Sequence, residues 1–134
     1  MDLYAESILD HAHHPLCKGP MKHPTVSHEE TNASCGDSLE LRLLIKGKRI
    51  NDIRWEGEGC AISQAAMSMF AGHLKGMTTE EAAHLPPRSV FDLLKVSIGP
   101  RRTKCALLCL HALKNALRKL NGEPAQSWTE TIGN

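Results

Sequence analysis

The chain has 134 residues and a near-neutral formal charge of +1; 41% of its residues are hydrophobic and only 4% are aromatic. This length suits a single domain over residues 1–134. The balanced charge and the scarcity of aromatic rings argue against a nucleic-acid partner. No apolar run reaches the roughly 18 residues of a spanning helix, and the acidic start lacks a secretory signal pattern, so we predict a cytoplasmic protein with no membrane partner.

The first half of the chain predicts one helix and then strands. Leu3, Ile8 and Ala12 recur at near-helical spacing before a proline. Farther on, leucines alternate with Glu40 and Arg42, which is typical of a strand with one buried face. The predicted elements are a helix over 2–13, an edge strand over 25–33, and two hairpin strands over 38–45 and 49–57.

The second half of the chain predicts helices. Thr78 and Glu81 have the spacing of a capping box that opens a short helix. Asn121 and Gly122 end the last helix, and we expect an irregular tail over 122–134. The predicted helices begin near Cys60, Thr78, Val90 and Arg102. Because strands come before most of the helices, we predict an α+β fold with about three antiparallel strands and helices packed on one face.

Five cysteines occur in the chain, an odd number that does not suit a disulfide scaffold. In a reducing compartment, cysteines more often bind metals or react than form bridges. Cys35 precedes a predicted strand, while Cys60 and Cys105 lie at the starts of predicted helices. Such places can converge at one end of a sheet. Cys109, one helical turn beyond Cys105, is predicted to pack in the core, and Cys17 is assigned no role.

The surroundings of these cysteines favour metal chemistry. Cys60 follows Gly-Glu-Gly at a helix start, where the helix dipole favours a thiolate. Cys105 follows Arg102 and Lys104, whose charges also favour a thiolate. With Asp37, three thiolates would form a plausible zinc site or a labile iron–sulfur site. Scattered cysteines are also often buried apolar residues, so the spacing leaves both interpretations open.

Three segments resemble the cysteine motifs of the iron–sulfur scaffold family that includes IscU, SufU and the N-terminal domain of NifU. They are NASCGDSLEL at 32–41, GEGCAISQAAMS at 57–68 and RRTKCALLCLHAL at 101–113. The start, LYAESILDHAHHPLCKG at 3–19, is similar to the opening segment of that family. The resemblance extends from about residue 3 to residue 120 and implies a SufE/NifU-like fold.

The resemblance implies a scaffold and sulfur acceptor rather than a conventional enzyme. It implies that Cys35, Asp37, Cys60 and Cys105 hold zinc, iron or a transient [2Fe–2S] cluster. Cys35 or Cys105 would accept sulfur from a cysteine desulfurase of the SufS or IscS type. The cluster would then pass to iron–sulfur acceptor proteins.

Details near the third cysteine are similar to the SufU branch. Lys104 stands where the IscU type has a histidine, and Arg102 with Lys104 completes a SufU-like pattern. The interval between the second and third cysteines is shorter than in many SufU proteins, which carry an insertion there. The alternative to a scaffold is therefore a zinc-dependent sulfurtransferase that activates a desulfurase. A third interpretation, from a different class, is an interaction module with structural zinc.

Overall fold

The computed structural model describes residues 3–133 and contains a three-stranded antiparallel sheet in the order β1-β2-β3. Its elements are α1 (Leu3–His13), β1 (Val26–Asn32), β2 (Asp37–Lys46), β3 (Arg49–Glu58), α2 (Ala61–Leu74), α3 (Thr79–Ala83), α4 (Arg88–Leu94), a 3₁₀ turn (Pro100–Arg102), α5 (Thr103–Leu120) and α6 (Trp128–Ile132). The predicted α+β class is confirmed. Of the first predicted helix, residue 2 lies outside the described residues.

A tight turn and a bulge shape the hairpin of β2 and β3. Gly47 and Lys48 connect the strands with φ of 56° and 66°, the left-handed pair that a type I′ turn requires. Farther along, Leu44 pairs with Asp52 while Ile45 pairs with Ile50, which leaves one extra residue in β3. The bulge lets two isoleucines of β3, three positions apart, both enter the core.

The two edges of the sheet differ. At β3, the N–H of Gly19 donates to the carbonyl of Trp55 (2.9 Å), and the N–H of Trp55 donates to the carbonyl of Cys17 (3.1 Å). A loop segment therefore covers that edge. At β1, Lys119 Nζ donates to the carbonyl of Ser27 (2.7 Å). The rest of β1 is rich in polar side chains.

The core lies between the inner face of the sheet and helices α2 and α5. Leucines of β2 alternate inward, and α5 is buried along much of its 18 residues. Each fully buried leucine contributes about 1.5–3 kcal/mol, so this interface dominates the stability of the fold. Cys109 lies in this interior and donates a hydrogen bond to the carbonyl of Ala106 (3.4 Å). Its predicted packing role is therefore confirmed.

Standard caps fix the ends of the helices. Thr78 and Glu81 form the predicted capping box at α3. At the end of α5, Gly122 has φ of 73°, and the N–H of Glu123 donates to the carbonyl of Arg118 (2.8 Å), as in a Schellman motif. Within residues 3–133, no helix combines the length and the apolar surface that crossing a bilayer requires.

The prediction of an irregular tail over 122–134 is wrong at α6. Ser127 caps this short helix by accepting a hydrogen bond from the N–H of Glu130 (3.2 Å). His111 and Thr131 share a hydrogen bond of 2.6 Å, and the ring of Trp128 stacks on His111 with centroids 4.0 Å apart. Five residues are too few to show helical periodicity, and contacts with α5 rather than propensity hold the helix in place.

Candidate metal centre

Three separate elements bring two thiols and a carboxylate together at one end of the sheet. Cys35 lies in the turn between β1 and β2, Asp37 begins β2, and Cys105 lies in the first turn of α5. One ligand atom from each lies within 4.8 Å of the others. The Sγ atoms of Cys35 and Cys105 are 3.2 Å apart, with the Cys105 thiol donating. Residues 70 positions apart in sequence therefore form one cluster, which we call the thiol–carboxylate cluster.

Hydrogen bonds to the Asn32 carbonyl stabilise the turn that carries Cys35. The Asn32 carbonyl accepts the N–H groups of Cys35 (3.2 Å) and Gly36 (2.9 Å). Gly36 has φ of 73°, a left-handed conformation that glycine adopts without strain. The Asn32 side chain is buried, with Nδ2 4.0 Å from Cys105 Sγ. This turn leaves Cys35 exposed while Cys105 and Asp37 are buried.

Asp37 carries the clearest indication of a ligand. It is only 2% exposed, and its Oδ1 accepts the backbone N–H of Cys60 at 3.3 Å. Its Oδ2 is the one buried side-chain oxygen or nitrogen in residues 3–133 that has no hydrogen-bond partner. A buried carboxylate oxygen without a partner is costly, whereas a cation beside it would compensate its charge. Two thiols and this carboxylate are a donor set that zinc or iron accepts, so the residues fit a metal.

Cys60 lies beside the cluster rather than in it. Its Sγ is absent from the group of ligand atoms that lie within 4.8 Å of one another. Its backbone instead orients Asp37, and Ser63 Oγ donates to its carbonyl (3.0 Å). A methyl group at Gly59 would clash with Ser63 Oγ and would approach Asp37 Oδ1 to 2.5 Å. The glycine before Cys60 therefore lets α2 begin close to the carboxylate, and a ligand role for the Cys60 thiol stays a prediction.

The electrostatics at Cys105 differ from the expectation that neighbouring cations favour a thiolate. Burial raises the pKa of Cys105 well above its ordinary value, and the hydrogen bond to Cys35 and the nearby Asp37 carboxylate raise it further. Arg102 is exposed, and Lys104 is directed over the ring of Trp128 with Nζ 5.6 Å from its centroid. Without a bound cation, the buried thiol therefore keeps its proton. The supporting roles of Arg102 and Lys104 stay predictions.

The sequence profile of the family described as "NifU-like N terminal domain" matches residues 3–127. This chain belongs to the NifU-like N-terminal domain family. The family predicted from the three cysteine segments is thereby confirmed. The match covers every residue of the thiol–carboxylate cluster and ends just before α6.

Two named relatives of this NifU-like domain differ in their stated roles. It is 32% identical to the iron–sulfur cluster assembly scaffold protein IscU of Thermotoga maritima, over 89% of this chain and 95% of that protein. It is also 32% identical to the zinc-dependent sulfurtransferase SufU of Bacillus subtilis, over 90% of this chain and 92% of that protein. Overall identity thus does not separate a scaffold from a sulfurtransferase.

Solved structures have the same fold as this NifU-like domain. A Fervidobacterium islandicum structure assigned to the iron–sulfur scaffold of the SUF system superposes with a TM-score of 0.73 at 30% identity, over 84% of this chain and 94% of that one. The N-terminal part of a NifU-like protein from Brucella abortus superposes with a TM-score of 0.73 at 19% identity, over 91% and 96% of the two chains. The second likeness concerns the fold alone.

Sequence reasoning did not identify several residues that build the site. Asn32 and Ser63 contact the cluster or its backbone, yet neither carries metal-ligand chemistry of its own. Both lie inside the cysteine segments at 32–41 and 57–68, so a search for the backbone partners of each segment would have found them. Trp128 gave no sequence signal at all, because it reaches Lys104 only through the folded tail.

Proposed function

We propose that this chain is a cytoplasmic iron–sulfur cluster assembly scaffold. It accepts sulfur from a cysteine desulfurase, holds a metal or nascent [2Fe–2S] cluster, and passes the cluster to acceptor proteins. The observation that carries this proposal is the unpartnered Oδ2 of buried Asp37 beside the sulfurs of Cys35 and Cys105. Scaffolds of this description among the relatives support it.

Exposure favours Cys35 over Cys105 as the first sulfur acceptor. Cys35 is exposed on its turn, whereas Cys105 is 2% exposed. In the transfer, the Cys35 thiolate attacks the terminal sulfur of a desulfurase persulfide. A new S–S bond forms on Cys35, the old S–S bond breaks, and the desulfurase cysteine leaves as a thiolate. Only a thiol that the partner can reach will take part in this exchange.

The thiol–carboxylate cluster is suited to holding a metal ion or an iron–sulfur cluster temporarily. Cys35, Cys105 and the predicted ligand Cys60 offer soft sulfur, while Asp37 offers a hard oxygen that binds iron less tightly than thiolate does. A bound ion would supply the positive charge that keeps the neighbouring thiols deprotonated. A site with one weak ligand releases its cargo more readily than a site of four thiolates. This property supports a scaffold over a closed structural site.

The test is anaerobic reconstitution of the purified chain with ferrous iron and sulfide, followed by elemental analysis and visible spectroscopy. We expect charge-transfer absorption and bound iron and sulfide in the native chain and in Cys109→Ala, whose thiol is buried outside the cluster. Cys105→Ser should lose both signals. A native chain that stays colourless after reconstitution would refute the scaffold.

A zinc-dependent sulfurtransferase is the second candidate, because the Bacillus subtilis relative of that name is as identical to this chain as the Thermotoga maritima scaffold is. In that case the chain would retain one tightly bound zinc, form no cluster, and raise the turnover of a cysteine desulfurase. When the persulfide is trapped with an alkylating reagent, mass spectrometry should then locate it on Cys35. A chain that unfolds when a chelator removes its metal, and has no effect on a desulfurase, would be a structural-zinc module instead.

A further inference from the structure

A pocket of about 650 Å³ opens beside Cys35, within the size range of small-molecule sites. We call it the Cys35 pocket. Its lining includes Asn32, Cys35, Pro100, Arg101, Lys104 and Ile132. The two buried members of the thiol–carboxylate cluster, Asp37 and Cys105, do not belong to this lining, so the pocket lies on the solvent side of the cluster.

The lining has a definite chemical character. Arg101 and Lys104 supply two positive charges, and none of the described residues that line the pocket is acidic. Pro100 and Ile132 supply apolar walls. A lining that combines cations with apolar walls suits an organic anion with an apolar body, because each part of such a ligand meets a complementary surface.

One wall of the pocket comes from α6. Ile132 lies in this helix, which is fastened to α5 by the hydrogen bond of Thr131 to His111 and by the stacking of Trp128 on His111. A second fastening lies just before the helix, where Asn115 Oδ1 accepts the N–H of Gln126 (2.8 Å). The family profile ends at residue 127, so the wall is made by residues beyond the matched domain.

Trp128 also fixes the position of a charge. Lys104 Nζ lies 5.6 Å from the centre of the Trp128 ring, within the range of a cation–π contact. A free lysine side chain samples many rotamers, and ordering it when a ligand binds costs entropy. The stacked indole orders the Lys104 side chain before any ligand binds, and it holds the ammonium group at the pocket that contains Cys35.

We propose that the Cys35 pocket binds a small organic carboxylate, with Lys104 and Arg101 as its cationic contacts, and that Trp128 is a positioning residue for Lys104. This inference goes beyond the proposed function, because it requires neither sulfur transfer nor cluster assembly. It predicts that charge selects which small molecules reach the Cys35 thiol.

The test compares two thiol reagents of similar size, anionic iodoacetate and neutral iodoacetamide, on the full chain purified with and without chelator. Peptide mass spectrometry follows Cys35 alone. The same thiolate attacks both reagents, so the ratio of the two rates does not depend on the fraction of the thiol that is ionised. Relative to N-acetylcysteinamide in solution, we expect the ratio at Cys35 to favour iodoacetate by about ten-fold at low salt. At 1 M salt, where the Debye length is about 3 Å, the preference should largely vanish.

Variants of Lys104 and Trp128 test whether Trp128 positions Lys104 or only supports the fold. Lys104→Gln and Trp128→Ala should each lower the Cys35 ratio by about three-fold or more, whereas Trp128→Phe should retain it because a phenyl ring still attracts a cation. The ratio at Cys60 should not change in any variant. Lys46→Gln, at an exposed position beside the β2–β3 turn, is the matched control and should behave as the native chain.

Butyrate then probes binding directly, with butyramide as its neutral counterpart. Butyrate should slow the reaction of Cys35 with iodoacetamide, leave Cys60 unaffected, and lose this effect in Lys104→Gln; butyramide should protect neither thiol. The carboxylate site would be refuted if two results came together. The first is a ratio of iodoacetate rate to iodoacetamide rate at Cys35 equal to that of the free thiol, and the second is the absence of protection by butyrate. A raised ratio that is unchanged in both Lys104→Gln and Trp128→Ala would overturn the role of Trp128.

Discussion

The backbone N–H of Cys60 donates to Oδ1 of Asp37 across 3.3 Å, and this bond orients the carboxylate so that Oδ2 stays buried without a partner. Cys60 thus acts on the site through its main chain, whatever its thiol does. The start of α2 and the start of β2 are locked together at this point. Changes on either side of the bond should therefore alter the metal site before they alter the fold.

Replacing Asp37 by alanine should lengthen the life of a bound cluster. The carboxylate is the one oxygen among the expected ligands, and its departure opens a coordination position for an acceptor. We expect the visible absorption of reconstituted Asp37→Ala to decay several-fold more slowly than that of the native chain in the presence of a chelator. Asp92→Ala, at an exposed carboxylate of α4, is the control. Faster decay in Asp37→Ala would contradict the role of Asp37 as a release point.

Substitution of Gly59 by alanine should impair metal binding more than folding. The new methyl group would come within 2.5 Å of Asp37 Oδ1, so the carboxylate must move. Gly99→Ala is a matched control, because a methyl group there meets no atom within 4 Å. Competition titration against a chelator should show at least about ten-fold weaker metal binding in Gly59→Ala, the scale of second-shell effects, and native binding in Gly99→Ala. Equal affinity in both variants would show that Asp37 is not a ligand.

Alkaline pH should destabilise the fold through Cys109. Burial raises the pKa of this thiol to about 12, whereas an unfolded cysteine titrates near 8.5. Because the folded state holds the proton more tightly, this contribution is complete below about pH 8.5 and declines by up to about 1.4 kcal/mol per pH unit above it. Urea unfolding at a series of pH values should show a shallower decline in Cys109→Ala than in the native chain. Parallel declines would mean that the thiol ionises freely in the folded state.

Removing the hydroxyl of Thr131 should loosen α6. Thr131→Val nearly preserves shape but leaves His111 Nδ1, which is buried, without its partner at 2.6 Å. An unsatisfied buried group costs about 1–3 kcal/mol, so the free energy of unfolding should fall by that amount. Thr129→Val, at an exposed position of the same helix, should change it by less than about 0.5 kcal/mol. Equal losses in the two variants would rule out the His111 hydrogen bond as the cause.

Much of the fold could be predicted because local patterns agree with it. The alternation in β2 and the Lys-Gly-Lys turn placed both hairpin strands within one residue of their observed ends. Thr78 and Glu81 marked the start of α3 correctly. The pattern in β3 was less regular because Asn51 is the extra residue of a bulge, and an insertion of one residue reverses the alternation.

The site could be predicted only in part. The family resemblance named Cys35, Asp37 and Cys105, and the fold places their ligand atoms together. Spacing alone could not do so, since contacts across 70 residues depend on how α5 packs against the sheet. The position of Cys60 beside the cluster and the reach of Trp128 to Lys104 likewise arise from tertiary contacts. No local pattern encodes such contacts.

The edge strand β1 has a consequence for the behaviour of the protein at high concentration. An incoming strand would have to lie against His28, Glu29 and Glu30, and Lys119 already occupies the carbonyl of Ser27. The segment around Cys17 covers the edge at β3, so neither edge of the sheet presents a continuous row of unpaired backbone groups to another copy. Both edges of the sheet thereby resist the strand pairing between copies that begins amyloid-like stacking.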